Sequence, residues 1–212
     1  MNRSTWKTTE GHQFFQRKTA SRFANYPMSS PFQDSADAIA LLHGQRLSAL
    51  CGQQLTEAWV AWDKDDDSWF ADEPVVLTFG DLCLSIVFWK THEVTLEWKT
   101  IDFADPPNWF GCYGELDIEW RPCEIDSIRV SIGQTLQNIS LIENCETLQV
   151  LVDAKHPEDV GSQTSRWYPF ALSFRFERSI MTVYNALDEN GLSDEVPEAD
   201  YLRATSISDW QR

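Results

Sequence analysis

From Leu55 onward the apolar residues of this chain recur at every second position, and that spacing decides what it can fold into. A period of two places alternate side chains on opposite faces of an extended strand, whereas a helix needs a period near 3.6. In the stretch 56–63, Ala58, Val60 and Trp62 fall on one side and Glu57, Trp59 and Asp63 on the other. Leu82, Leu84, Ile86 and Phe88 alternate with Cys83, Ser85, Val87 and Trp89, which reads as a strand buried on both faces. The pattern continues through Val94, Leu96 and Trp98, through Leu116, Ile118 and Trp120, and through Ile128, Val130 and Ile132. It returns at Leu148, Val150 and Val152, and again at Leu172, Phe174 and Phe176. Short strands with turn residues between them, and no long amphipathic helix to carry a parallel crossover, predict a mainly β protein. The expected form is an antiparallel two-sheet sandwich or barrel, with an α+β arrangement as the alternative.

The N-terminal part reads differently. Residues 1–33 are polar and basic and close on Pro27, Ser29, Ser30 and Pro31, which predicts a flexible arm. One short helix follows: Asp34 or Ser35 is a suitable cap, and Ile39, Leu42, Leu47 and Leu50 fall near one face. Gly44 is expected to end or bend it, leaving 35–43 as the helix. A single β-rich domain is expected over 34–200, with 201–212 as a tail.

Within that domain the sequence echoes itself. Gly52-Gln53-Gln54-Leu55 opens one half and Gly133-Gln134-Thr135-Leu136 another, placing the halves at about 52–112 and 113–191. Leu82–Ile86 then resembles Phe170–Phe174, and Thr95–Asp102 resembles Thr182–Asp188. A third Gly-Gln-x-Leu, Gly44–Leu47, leaves the starting register ambiguous. The echo suggests two weakly related halves around a common core.

Charge narrows the partners. The chain of 212 residues carries a formal net charge of −16, yet residues 1–33 hold five bases (Arg3, Lys7, Arg17, Lys18, Arg22) against one acid, Glu10. The remainder is therefore near −20, a field that repels nucleic acid and anionic membranes and attracts a basic protein. The longest apolar run, 82–89, falls far short of the roughly 20 residues of a spanning helix. No apolar segment follows Arg3 and Lys7, so a cytoplasmic protein without an export signal is expected. The five cysteines are scattered, with no C-x-x-C pair, and read as reduced thiols.

Two acidic patterns are candidate sites. Asp63, Asp65 and Asp67 alternate as in the start of a calcium loop. The pattern then fails, because Ser68 stands where the sharp turn needs glycine and Pro74 where a bidentate Glu should close the site. A solvated acidic hairpin loop is the expectation, with Asp63, Asp65 and Asp67 the weak candidate for a metal. The second pattern is Glu115, Asp117 and Glu119, which should project opposite Leu116, Ile118 and Trp120. With Asp65, Asp66 and Asp67 this row forms a candidate acidic docking surface, and Trp59 beside Glu57 is its candidate aromatic anchor. Asp188-Glu189-Asn190-Gly191 reads as a turn, and Asp194, Glu195, Glu198 and Asp200 as a solvated stretch.

Catalytic signatures are missing: no G-x-S-x-G, no phosphate-binding glycine loop, no H-E-x-x-H. A nucleophile–base pair assembled in space would use Cys83 or Cys112 with His92. The expected function is a non-enzymatic acidic module, without cofactor, that binds a basic protein. In size, acidity and character it is similar to bacterial immunity proteins that neutralise toxins, a likeness of composition carried by no motif. The alternative is a Trp-rich β-sandwich that binds a carbohydrate or other small ligand, with calcium in the acidic loop.

Overall fold

The computed structural model describes residues 31–98, 101–105, 107, 117–151, 160–187 and 189–211. The protein is mainly β: two antiparallel sheets and one N-terminal helix, not closed into a barrel. Glu115, Leu116, Cys112, Val152, Asp188 and the arm up to residue 30 lie outside the described residues.

Helix α1 spans Ala36–Leu50, and the Ser35 hydroxyl accepts from the Ala38 amide at its start. It does not stop at Gly44. Ile39, His43, Leu47 and Leu50 form its buried face, and Gly44 lies on that face with the Trp210 ring 3.5 Å from where a Cβ would stand. Close packing there outweighs the roughly 1 kcal/mol that a mid-helix glycine costs. No helix among the described residues is long and apolar enough to cross a membrane. Just before α1, Phe32 stacks on Trp89, and Gln33 exchanges two backbone bonds with Val94. The last residues of the basic segment are thus docked on the first sheet.

The first sheet holds β1 (Glu57–Asp63), β2 (Ser68–Trp69), β3 (Val75–Phe79), β4 (Leu82–Trp89), β5 (Glu93–Glu97) and β6 (Ile118–Pro122). Trp59 pairs with both Val76 of β3 and Pro122 of β6, so those strands flank β1 on opposite edges. Trp62 likewise pairs with Trp69 and with Glu119, which places β2 on the β3 side. The order is therefore β6-β1-β3-β4-β5, with β2 a short continuation beside β3. After the single-turn helix α2 (Asp126–Arg129), the second sheet holds β7 (Leu136–Leu151), β8 (Val160–Phe176), β9 (Ile180–Asn185), β10 (Asn190–Ser193) and β11 (Leu202–Ser206), ordered β11-β7-β8-β9-β10.

With the two-residue β2 set aside, the two sheets repeat one pattern: four strands in sequence, then a fifth that returns to pair with the first. The Gly-Gln-x-Leu segments meet at the start of both. Gly52 and Gly133 share a left-handed φ, 85° and 83°, and Gln54 bridges Thr135. Four backbone bonds tie the segments together, and Leu55 and Leu136 are fully buried. Only a residue without a Cβ adopts that φ freely, which accounts for glycine at both positions. The Gly44–Leu47 copy lies inside α1. By position in the sheets β3 matches β8 and β4 matches β9, one strand away from the match that residue similarity suggested. Nor do the described residues of the expected tail, 201–211, hang free. They form β11 on the edge of β7 and a 3-10 turn whose Ile207 is buried. Few apolar residues mark β11, because an edge strand contributes backbone bonds more than core.

The main core lies between the sheets. Val60, Leu77, Leu84, Ile86 and Leu96 from one side meet Ile139, Leu141, Leu172, Phe174 and Val183 from the other. Asn190 joins the sheets directly: its carboxamide accepts from the Phe88 amide (2.9 Å) and donates to the carbonyls of Ala71 (3.1 Å) and Glu73 (2.8 Å). Asn190-Gly191 is thus not the turn itself. The hairpin turn falls just before it, with Leu187 at φ 66°, and Asn190 opens β10.

Candidate functional site

Antiparallel pairing of β1 with β6 sets Asp63 opposite Ile118 and Trp62 opposite Glu119. The 64–67 turn and the start of β6 therefore share one corner, which brings the two acidic patterns of the sequence together. Cross-strand partners point to the same face, so Glu119 and Arg121 lie with Trp62 and Val60, and Ile118 and Trp120 with Ala61. The apolar half of β6 accordingly packs on the outer face of the first sheet, away from the main core.

Most of the corner carboxylates are engaged from within. Asp63 is buried, and its Oδ1 accepts from the amides of Asp65 (2.8 Å) and Asp66 (3.2 Å). Asp67 sits at φ 47° and accepts from Trp62 Nε1 (2.9 Å) and Arg121 Nη1 (3.3 Å). Those bonds, the Trp62 one first, hold its carboxyl below the usual range. Arg121 lies over the Trp62 ring, 5.0 Å from its centre, and donates Nε to Glu119 (2.6 Å). Lys64 pairs with Asp117, which raises the lysine pKa. Asp65 and Asp66 are exposed, and among the described contacts nothing in the chain binds their carboxylates. The corner thus sets six acids (Asp63, Asp65, Asp66, Asp67, Asp117, Glu119) against Lys64 and Arg121.

The loop does not gather three carboxylates around one point. Asp63 turns inward as the acceptor of a local turn and Asp67 turns toward Arg121. Among the described residues no group of three His, Cys, Asp or Glu is placed to hold a metal ion. Of the weak candidate set Asp63, Asp65 and Asp67, the first and last accept the hydrogen bonds of a hairpin turn.

Glu57 and Trp59 do not join the corner. Six steps along β1 separate Glu57 from Asp63, about 20 Å along a strand. Trp59 donates Nε1 to Glu57 (3.2 Å) and stacks on Phe103 at 4.2 Å with the rings nearly parallel. Its ring covers the first sheet instead of standing free as an anchor.

Cys83 and His92 lie near opposite ends of β4, Cys83 paired with Thr78 and His92 beyond the Trp89–Glu93 pair, about 20 Å apart along the strand. His92 stacks on Tyr168 (3.9 Å between ring centres) and meets Glu146 at 3.1 Å. Burial raises the thiol pKa of Cys83 and Cys51 and pushes Cys123 up to about 11, the opposite of what a nucleophilic thiol needs.

A second feature went unforeseen. Ser193–Glu198, expected to be a solvated stretch, runs across the outer face of the second sheet. The Thr182 hydroxyl bridges Ser173 Oγ (3.0 Å) and the Glu195 carbonyl (2.8 Å), fastening the segment to β9. Between segment and sheet lies an open groove of about 730 Å³. Phe170, Tyr184 and Ile180 line it with Val196 and Pro197, and Arg175, Asp194, Glu195 and Glu198 supply its charges. Phe170 reaches this face through a bulge: Pro169 pairs with Glu143 and Ala171 with Ile142, leaving Phe170 without a partner. Gly191 lies opposite Tyr184 and lets that ring settle on the backbone; a Cβ there would come within 2.2 Å of it. Two signals in the sequence pointed here, Pro169 and Gly191 inside strand patterns, both marks of a bulge or close approach.

The chain matches no protein-family model, no curated protein and no solved structure. What it is thus rests on the residues themselves: a two-sheet antiparallel β protein with an acidic corner and an acid-rimmed groove.

Proposed function

We propose that this chain is a non-enzymatic binding module of the cytoplasm that docks the basic surface of a protein partner. The observation that carries this reading is the corner where the 64–67 turn meets β6: six carboxylates against two cations, with Asp65 and Asp66 exposed and not engaged from within. Exposed like charges on a rigid hairpin repel each other mildly and gain from a cationic partner, through faster encounter and matched register. Masking a basic toxin, as immunity-type inhibitors do, is the cellular form of this activity that we put forward. The surrounding field, near −20 outside the first 33 residues, favours the same partner.

Calorimetric titration with cytochrome c as a basic probe tests the reading. Binding is expected at low salt and should weaken steeply as salt is added. Asp65→Lys with Asp66→Lys should reduce affinity about tenfold, since each reversed charge at a rim is worth up to about 1 kcal/mol. Undiminished affinity in that double variant would sink the corner as the docking surface.

The carbohydrate alternative has less support. Among the described tryptophans none stands exposed: Trp59 lies under Phe103, Trp62 under Arg121 and Trp167 under Arg203, and Trp89 and Trp120 are buried. We also read the two halves as copies of one unit, from their shared strand order and paired Gly-Gln-x-Leu segments.

A further inference from the structure

We propose that the groove on the outer face of the second sheet receives lysine or arginine side chains from an extended basic segment of the partner. The inference rests on the binding reading above and adds a second contact with its own chemistry. Lysine and arginine are amphipathic: an aliphatic stem carries a charged head, and each part needs a different surface. The groove offers both. Phe170 and Tyr184, with ring centres 6.1 Å apart and tilted 36°, make an apolar floor with Ile180, and Val196 and Pro197 form the opposite wall. Such faces take a methylene stem and attract a nearby cation through the ring quadrupole.

Three carboxylates, Asp194, Glu195 and Glu198, stand with the lining against one guanidinium, Arg175. An anionic ligand would meet net repulsion there, and a cation net attraction. The volume, about 730 Å³, lies within the roughly 300–1,000 Å³ of ligand sites, enough for several side chains of a peptide. The floor is also held in place. The bulge at Phe170 and the close contact of Tyr184 with Gly191 fix both rings before any ligand arrives, so little ordering cost falls on binding.

The test separates stem recognition from plain charge attraction. Two hexapeptides are titrated into the full chain by calorimetry: hexalysine, and the same length of 2,4-diaminobutyric acid, which keeps the amines but shortens each stem by two methylenes. If one stem seats in the groove, hexalysine binds about tenfold tighter, from about 0.8 kcal/mol per buried methylene. Phe170→Ala should bring that ratio close to one. Phe170→Leu, which keeps the bulge apolar, should lower it part way and serves if the alanine variant does not fold. Equal affinities for the two peptides on the unaltered chain, or a ratio untouched by both Phe170 variants, overturn the proposal. Glu195→Gln with Glu198→Gln should weaken hexalysine about tenfold, and no change would count equally against it. The Asp65→Lys, Asp66→Lys variant should leave the ratio unaltered. A ratio abolished there places stem recognition at the corner and refutes the groove, whereas a corner that fails with cytochrome c leaves the peptide ratio intact.

Discussion

The two sheets share a strand order but are covered on their outer faces by opposite means. Over the first sheet, Trp59, Ala61, Val76, Ile118 and Trp120 lie beneath Ile101 and Phe103, mostly ring on ring, with the Cys83 thiol meeting the Ile101 backbone. Over the second, Ala171, Ser173 and Thr182 lie beneath Ser193–Glu198, and a hydroxyl-to-carbonyl bond fastens the cover. The difference follows from the outward side chains. Large apolar rings demand an apolar lid and close against it, since any gap forfeits dispersion contacts. Small residues and hydroxyls need a hydrogen-bond partner instead, and a backbone segment held by one such bond stands off elsewhere. Among the described residues one face is covered by stacked rings, and the other keeps a groove.

Five substitutions or titrations put that contrast to the test. The largest effect belongs to the join on which both faces depend. Asn190→Leu removes the side-chain acceptor of the Phe88 amide and the side-chain donor to the Ala71 and Glu73 carbonyls in the interior, and should cost about 3–4 kcal/mol in urea denaturation. Phe103→Ala strips the lid of the first sheet and should cost about 2 kcal/mol by the same measurement, with a rise in Trp exposure to quenchers. Thr182→Val unfastens the lid of the second sheet for only about 1–1.5 kcal/mol, because one hydroxyl and its two hydrogen bonds, to the Glu195 carbonyl and Ser173 Oγ, are lost. It should open the segment 193–198 to faster amide exchange while 101–105 stays unchanged. Equal costs for Phe103→Ala and Thr182→Val would mean that the two coverings are not energetically distinct.

A smaller effect is expected at His43. It is buried in α1, its Nδ1 accepts from Trp98 Nε1 (3.1 Å), and burial lowers its pKa below 6.5. The unfolded chain thus binds a proton that the folded chain resists. Stability is fully present above pH 6.5 and is lost as the pH falls through and below it. The urea midpoint should decline from pH 7.5 to 5.5, and His43→Leu should flatten that decline. Smallest of all, Asp65→Lys with Asp66→Lys should change stability by no more than about 0.5 kcal/mol, since both side chains are exposed on a turn. Its effect belongs to binding.

Much of the architecture was written in local patterns. Of the strand 82–89, expected to be buried on both faces, Leu84–Trp89 is so buried while Leu82 is exposed and Cys83 half-buried, and the alternation in β1 separates Ala58 and Val60 from Trp59. Gly52 and Gly133 were marked by a shared tetrapeptide, and the structure pairs them. Beyond those glycines residue similarity set β4 beside β8 and β5 beside β9, whereas strand order sets β3 beside β8 and β4 beside β9, because short buried strands resemble one another whatever their place in a sheet. The acidic candidates were legible as charges but not as partners. Lys64 and Arg121 become counter-ions of Asp117, Asp67 and Glu119 only when β6 lies beside β1.

Side-chain alternation and glycine conformation are properties of a few adjacent residues, so the amino-acid order alone determined that this chain makes antiparallel sheets with a buried interior. Sites are made by residues far apart in the chain. The corner needs residues 63–67 beside 117–121, and the groove needs Phe170, Tyr184 and Glu195 on one face. Those neighbours are chosen by strand order, by a bulge at Phe170 and by the lid that each outer face selects. Only the folded chain decides them, because pairing energy depends on which distant backbone is available and not on the residues next in line.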